Sequence, residues 1–224
     1  MDHSVRLDGE RAAFAPPTRW RAAAEAIGVF LLIMVHVWWV QAYLKLAWLA
    51  ILVLAVASHR RRRETAATLG FRAANFGACM RRYGLLVLVL AALPLVFAAY
   101  FHTFRPVTPP RIARFVIYYC IWGLFQQYAL NGFFVNRLCQ SARQADARWV
   151  PPVAAALFAA VHAPNWFLVT VTFALGYFCA TIYLRYRNLY FLGLAHGLIG
   201  TALYLSVPDA VSLHFFIGPR ALRY

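Results

Sequence analysis

The chain has 224 residues, of which 63% are hydrophobic and only 13% are charged, and its mean hydropathy is +0.62. Soluble domains are about 45–50% apolar and about 25% charged, so the composition excludes an ordinary soluble domain. The net charge is +15, but a soluble nucleic-acid-binding protein would combine that charge with a polar surface, which this chain lacks. We therefore expect a polytopic membrane protein with no nucleic-acid partner.

Seven apolar runs follow one another along the chain, and at about 20 residues per span the hydrophobic content corresponds to about seven membrane spans. The runs cover residues 22–40, 43–58, 84–101, 113–135, 150–163, 166–184 and 189–207. This pattern predicts an all-α transmembrane bundle in a single domain over residues 22–207. A polar segment, 1–21, precedes it, and a tail, 208–224, follows it.

The basic residues indicate the orientation of this bundle. With the amino terminus inside, 16 of the 22 basic residues fall on inner segments and six on outer ones, which is the distribution that the positive-inside rule requires. Residues 1–21 lack the apolar core of a cleavable signal peptide, so we expect them to remain as a cytoplasmic segment. The predicted location is the inner (plasma) membrane of a bacterium.

The stretch between the second and third spans is too polar to cross a membrane. Over residues 64–83, apolar side chains alternate with arginines, which favours an amphipathic helix lying on the cytoplasmic face. A plain cytoplasmic loop is the alternative interpretation.

Polar residues within the spans are the candidates for a functional site, because polar groups at membrane depth are costly. They are the amides Gln126, Gln127 and Asn131 of the fourth span, His162 of the fifth, His196 of the seventh and His36 of the first. Gln127 and Asn131 lie four residues apart and so share a helix face. For the amides, a hydrogen bond that joins two helices is the structural alternative, and for His162 and His36 it is a histidine that is hydrogen-bonded within the core.

The order of these motifs resembles the CPBP family (CAAX protease and bacteriocin-processing, or Abi) of intramembrane proteases, which includes the type II CAAX prenyl endopeptidases. Residues 126–132, QQYALNG, stand where that family has EExxxR followed by glycine, and residues 158–162 match FxxxH. Residues 176–189 resemble the next helix and its arginine-rich Asn-Leu turn, and 196–200 stand at HxxxN. Residues 67–72, ATLGFR, resemble a segment that precedes an interfacial helix. The resemblance covers residues 64–205 and implies an intramembrane endopeptidase or a related hydrolase.

The chain departs from this family at the residues that carry its chemistry. The glutamate pair is Gln126 and Gln127, the arginine is Asn131 and the last asparagine is Gly200, whereas His162 and His196 are retained. These six positions form the site that the resemblance implies. Glutamine cannot accept a proton from water, and a positioned general base contributes about 10²–10⁴-fold to a rate. Carboxylate-based hydrolysis should therefore be crippled.

A divalent metal such as zinc is the cofactor that the resemblance leaves open, because metal-dependent and glutamate-based mechanisms both exist for the family. A catalytic zinc takes about three protein ligands, and His162 and His196 supply two. His36 would complete the set only if the first span packed against the fifth and seventh. A histidine could instead replace the glutamate as base, and Cys120, seven residues before Gln127, is a candidate nucleophile. The four cysteines form no CxxC pair, so their spacing indicates no zinc or redox motif.

Three functions remain open on the sequence. The first is a divergent CPBP-type hydrolase, and the second is a catalytically silent relative that binds a membrane-embedded peptide or partner as a scaffold or regulator. The third, a small transporter or lipid-handling protein, is disfavoured because the spans show no internal repeat. In each case the lipid bilayer is the immediate partner.

Overall fold

The computed structural model describes residues 16–142 and 144–224, which are helical with no strand among them. The predicted segment 1–21 lies mostly outside the described residues. One π-helical segment covers Tyr128–Val135, and short 3₁₀ turns connect some of the α-helices. The α-helices are α1 Pro16–Trp38, α2 Trp48–Arg61, α3 Phe76–Phe101, α4 Pro109–Gln127, α5 Asn136–Ser141, α6 Val150–Ala160, α7 Trp166–Tyr186, α8 Leu189–Ser206 and α9 Asp209–Ser212.

Four helical stretches of the described chain are long and apolar enough to cross a membrane, namely Arg19–Trp38, Phe76–Phe101, Trp166–Tyr186 and Leu189–Ser206. The integral membrane class is thereby confirmed, but the count of seven spans is not. Helix α2 has 14 residues and α6 has 11, and both are shorter than the roughly 20 residues that a span needs. Helix α4 carries two arginines near its start and two glutamines at its end, which lower its hydropathy.

The predicted amphipathic helix over residues 64–83 does not form, and this prediction was wrong. Residues 62–75 make turns, and residues 76–83 are the first turns of α3. Tertiary hydrogen bonds hold the turns, because the Leu69 carbonyl accepts from the Tyr183 hydroxyl at 2.9 Å and the Gly70 carbonyl accepts from the Leu189 N–H at 2.7 Å. Gly70 has φ +99°, and a Cβ there would lie 2.8 Å from the Tyr183 ring. Only glycine fits this position, so the segment cannot continue as a helix.

Helix α8 lies at the centre of the bundle, packed against α3 and α4. The contact with α4 is close because glycines line it on both sides. A Cβ on Gly197 would lie 2.5 Å from the Cys120 Cα, and one on Gly123 would lie 2.9 Å from the Gly193 carbonyl oxygen. This glycine seam brings the backbone of α4 directly against His196.

Arg137 of α5 is completely buried and connects four parts of the fold. Its guanidinium donates to Glu25 of α1 at 2.9 Å and to both oxygens of Glu64 at 2.8 and 2.9 Å. The hydroxyl of Ser58 on α2 accepts from it at 2.8 Å. His59 Nδ1 donates to Glu64 at 2.6 Å. This Arg137 cluster ties α1, α2 and the 62–75 turns to α5.

A second ion pair closes the opposite end of the bundle. Arg105 follows α3 and pairs with Asp209 at 2.6 Å, and its side chain also donates to the carbonyl oxygens of Tyr204 and Val207. The tail then crosses the turn between α6 and α7, where the Gly218 N–H donates to the Ala163 carbonyl at 2.9 Å. The tail is therefore an ordered part of the fold.

We predict that Gly197→Ala destabilises the protein by about 1–3 kcal/mol or more, because the added methyl group overlaps the backbone of α4. Gly28→Ala is the matched control, since a Cβ at Gly28 of α1 meets nothing within 4 Å. Thermal unfolding in detergent, followed by circular dichroism, gives the comparison. Equal melting temperatures for the two variants would contradict the close α4–α8 contact.

We predict that Glu64 makes the stability depend on pH in the acid range. Burial would raise its pKa, but hydrogen bonds from His59 and Arg137 outweigh burial and lower the pKa from 4.5 to about 2. The stabilisation is complete above pH 4.5 and is lost as the pH falls toward 2. Solvent screening of this partly buried carboxylate reduces the stabilisation to about 1–2 kcal/mol.

The measurement is the unfolding free energy of wild type and of Glu64→Gln across this acid range. The variant lacks the carboxylate, so it should be less stable at neutral pH and should lose less stability on acidification. Identical pH profiles for the two proteins would show that Glu64 does not carry the effect.

Candidate functional site

Gln127 stands at the centre of a buried hydrogen-bonded chain between α4 and α8. Its side-chain oxygen accepts from the Asn131 amide at 2.6 Å, and its side-chain nitrogen donates to His196 Nδ1 at 3.0 Å. Gln127 and Asn131 are completely buried, and His196 is 8% exposed. Three of the sequence-predicted site residues therefore meet in one place.

The π-helical segment begins immediately after Gln127 and contains Asn131. Such wide turns are rare and occur frequently at functional sites, because they change the direction in which successive side chains point. The segment connects the site at Gln127 with the buried guanidinium of Arg137. The π-helical segment therefore places two completely buried polar side chains, Gln127 before it and Arg137 after it.

His162 lies on the turn that follows α6, one helical turn after Phe158. Its Nδ1 donates to the Phe158 carbonyl at 2.8 Å, since a carbonyl oxygen can only accept. The Phe158 ring lies 5.0 Å from the His162 ring and 6.1 Å from the His196 ring, measured between centroids. Both histidines of the predicted site thus contact one aromatic side chain.

The turn that holds His162 is fixed by the C-terminal tail. Asn165 is completely buried, and its amide donates to the carbonyl oxygens of Ser212 at 2.7 Å and Phe216 at 3.0 Å. Its side-chain oxygen caps α7 by accepting from the Leu168 N–H at 3.1 Å. The position of His162 therefore depends on the tail as well as on α6.

The hydrogen bonds assign opposite roles to the two histidines in their neutral forms. His196 Nδ1 accepts from Gln127, so the ring proton of His196 lies on Nε2 and makes that atom a donor. His162 Nδ1 donates to a carbonyl, so its Nε2 carries no proton and is an acceptor. A glutamate in place of Gln127 would accept from His196 Nδ1 and would reverse the tautomer of His196.

The other predicted site positions lie at the edge of this constellation or away from it. Gln126 is half-buried, and no hydrogen bond of its side chain is found within residues 16–142 and 144–224. Gly200 lies where α8 meets Tyr119, because a Cβ there would be 3.1 Å from that ring and 3.9 Å from the His196 ring. Asparagine at Gly200 would therefore displace Tyr119.

The donor set does not fit the predicted metal site. Among the described residues, no group of three or more His, Cys, Asp or Glu side chains is placed to hold a metal ion. Helix α1, which carries His36, packs mainly against α2 and α5, and His36 does not form such a group with His162 and His196. Two imidazoles fall short of the three protein ligands that a catalytic zinc takes.

The carboxylates that the structure describes are bound to arginines outside the site. Glu25 and Glu64 pair with Arg137, and Asp209 pairs with Arg105. No sequence motif marks the Arg137 cluster, because its members are spread over more than 100 residues. The cysteine spacing likewise gives no sign that Cys179 lies at the site, where its completely buried thiol contacts the Gln127 side chain.

Comparison with known proteins identifies the part of the chain that holds this constellation. The family model described as type II CAAX prenyl endopeptidase Rce1-like matches residues 108–202. No curated protein and no solved structure matches the chain. The matched segment contains Gln127, Asn131, His162 and His196. The chain therefore carries a type II CAAX prenyl endopeptidase Rce1-like domain, as its resemblance to the CPBP family predicts.

Proposed function

We propose that this CPBP-type membrane protein binds a peptide segment of a membrane protein at its Gln127–His196–His162 site and does not hydrolyse it by the family's carboxylate chemistry. The Rce1-like domain and the apolar helices support a membrane protein of this family. The matching family is described by its CAAX prenyl endopeptidases. For this chain we propose only the broader class of membrane-embedded or membrane-attached peptides.

One observation carries the proposal, namely the opposite hydrogen-bonding roles of the two histidines. His196 Nε2 is a donor and His162 Nε2 is an acceptor. A peptide unit offers the complementary pair, a carbonyl that accepts and an N–H that donates. In a site with little water, a hydrogen-bonding group that is left unpaired costs about 1–3 kcal/mol of binding free energy. The site therefore discriminates strongly between ligands that pair with both histidines and ligands that do not.

The absence of a carboxylate base at the described site supports binding over hydrolysis. Gln127 fills the position of a family glutamate, and its amide holds His196 in the tautomer that donates from Nε2. A donating Nε2 cannot take a proton from water. It can polarise a carbonyl, but hydrolysis also needs a group that activates the water molecule.

A histidine-based hydrolase is the second candidate, and the orientation of His162 favours it. The Phe158 carbonyl fixes the His162 ring and leaves Nε2 as an unprotonated nitrogen. Such a nitrogen can accept a proton from water, as a general base does. In this mechanism His196 Nε2 donates to the carbonyl oxygen while His162 takes the proton of the attacking water.

For the cellular setting, we propose a bacterial inner membrane with the amino terminus in the cytoplasm. The excess of basic residues on the segments assigned to the inside supports this orientation. With that orientation, the Arg137 cluster faces the cytoplasm and the tail lies on the outer side.

The test uses the full-length protein in lipid nanodiscs and a dye-labelled synthetic peptide that contains one leucine-rich transmembrane helix and a flexible polar tail. We predict that wild type binds the peptide without cleaving it. Gln127→Glu should weaken binding by about tenfold, because His196 then loses its donor at Nε2. Gln41→Glu is the control, since it makes the same chemical change outside the site. Fluorescence anisotropy measures binding, and mass spectrometry measures cleavage.

The same assay separates the two candidates. Cleavage by wild type that is abolished in His162→Ala would establish the histidine-based hydrolase and would overturn our first proposal. Cleavage confined to the Gln126→Glu/Gln127→Glu double variant would support a silent site that carboxylates restore. Gly200 stays unchanged in these variants, because asparagine there would displace Tyr119.

A further inference from the structure

Two arginines at the start of α4 differ from the buried arginines of the fold. Arg105 and Arg137 pair with carboxylates. Arg111 and Arg114 are exposed, and within the described chain no hydrogen bond or ion pair of their side chains is found. They lie three residues apart and so point to one side of the helix. The result is an uncompensated charge of +2 on one helical turn.

The arginines border a groove of about 240 Å³ that Phe115 and Tyr118 complete. Phe115 packs against Tyr204 of α8 with 4.5 Å between ring centroids. The Tyr204 ring in turn lies 4.8 Å from the Arg105 guanidinium carbon. The floor of the groove is thus fixed by contacts with two other parts of the fold.

The groove crosses from polar to apolar surroundings along α4. The connection before the helix, residues 102–108, is irregular and contains Pro106, which suits a membrane boundary. One to three turns further into the helix, Ile117 and Ile121 are 61% and 67% exposed, which indicates a face in contact with lipid. Tyr118, beside them, is also exposed. The arginines therefore lie at the membrane surface, and the aromatic side chains lead into the hydrocarbon region.

We propose that Arg111, Arg114, Phe115 and Tyr118 bind one anionic phospholipid, with its phosphate on the arginine pair and an acyl chain along the two aromatic rings. Guanidinium groups match phosphate in charge and in hydrogen-bond geometry. Basic residues near the membrane surface attract anionic lipids by about 1 kcal/mol each. The groove lies at the end of the bundle opposite the Arg137 cluster. The proposal does not depend on what the Gln127–His196–His162 site does.

Native mass spectrometry of the full-length protein in detergent tests this site with dioleoylphosphatidylglycerol as the probe. We expect one tightly bound lipid, and Arg111→Gln/Arg114→Gln should weaken its binding by about 30-fold, since each arginine contributes about 1 kcal/mol. The matched control is Lys45→Gln/Arg223→Gln, which removes the same charge from the same end of the bundle. Both arginines of the groove are exposed and unpaired, so the double variant should fold.

Three outcomes would overturn the proposal. Equal binding by the two double variants would show that the arginine pair does not hold the lipid. Equal affinity of wild type for dioleoylphosphatidylcholine would show that the net charge of the lipid is not recognised. Displacement of the lipid by millimolar inorganic phosphate would identify a site for free phosphate. The second and third outcomes need only wild-type protein.

Discussion

The burial of Arg137 is the constraint on which the rest of the structure depends. A guanidinium taken out of water is costly unless charge and hydrogen bonds compensate it. Here Glu25 of α1, Glu64 of the turns after α2 and the Ser58 hydroxyl supply that compensation. Since these groups come from separate segments, α1, α2 and α5 must assemble together. Removing either carboxylate would leave buried charge without its partner.

This constraint also bears on the chemistry of the site. Glu25 and Glu64 are held by Arg137, Asp209 is held by Arg105, and the buried group that contacts His196 is the amide of Gln127. The described part of the site is therefore composed of amides and imidazoles. The hydrogen bonds from Asn131 to Gln127 and from Gln127 to His196 decide which atoms of the site donate and which accept. Helix α4, the π-helical segment after Gln127 and α5 form one continuous helix. This helix carries both Gln127, which belongs to the hydrogen-bonded site, and the buried Arg137.

Local patterns in the sequence predicted those features that depend on local chemistry. Apolar runs predicted the long helices α3, α7 and α8, and the four-residue spacing of Gln127 and Asn131 predicted side chains on one face. The motif order predicted the family. The prediction of an interfacial helix was wrong because Gly70 and hydrogen bonds from α7 and α8 hold that segment in turns. A sequence window cannot detect such tertiary contacts. The Arg137 cluster joins residues that are distant in sequence, so no motif reveals it.

The central claim is that Gln127 holds His196 as a donor at Nε2 while His162 offers an acceptor. Nitrogen-15 NMR of the full-length protein with labelled histidine, near neutral pH, tests this claim most directly, with His196→Phe and His162→Phe used for assignment. The account predicts that neutral His196 carries its proton on Nε2 and neutral His162 carries its proton on Nδ1. A His196 ring protonated on Nδ1, or the same tautomer for both rings, would contradict it.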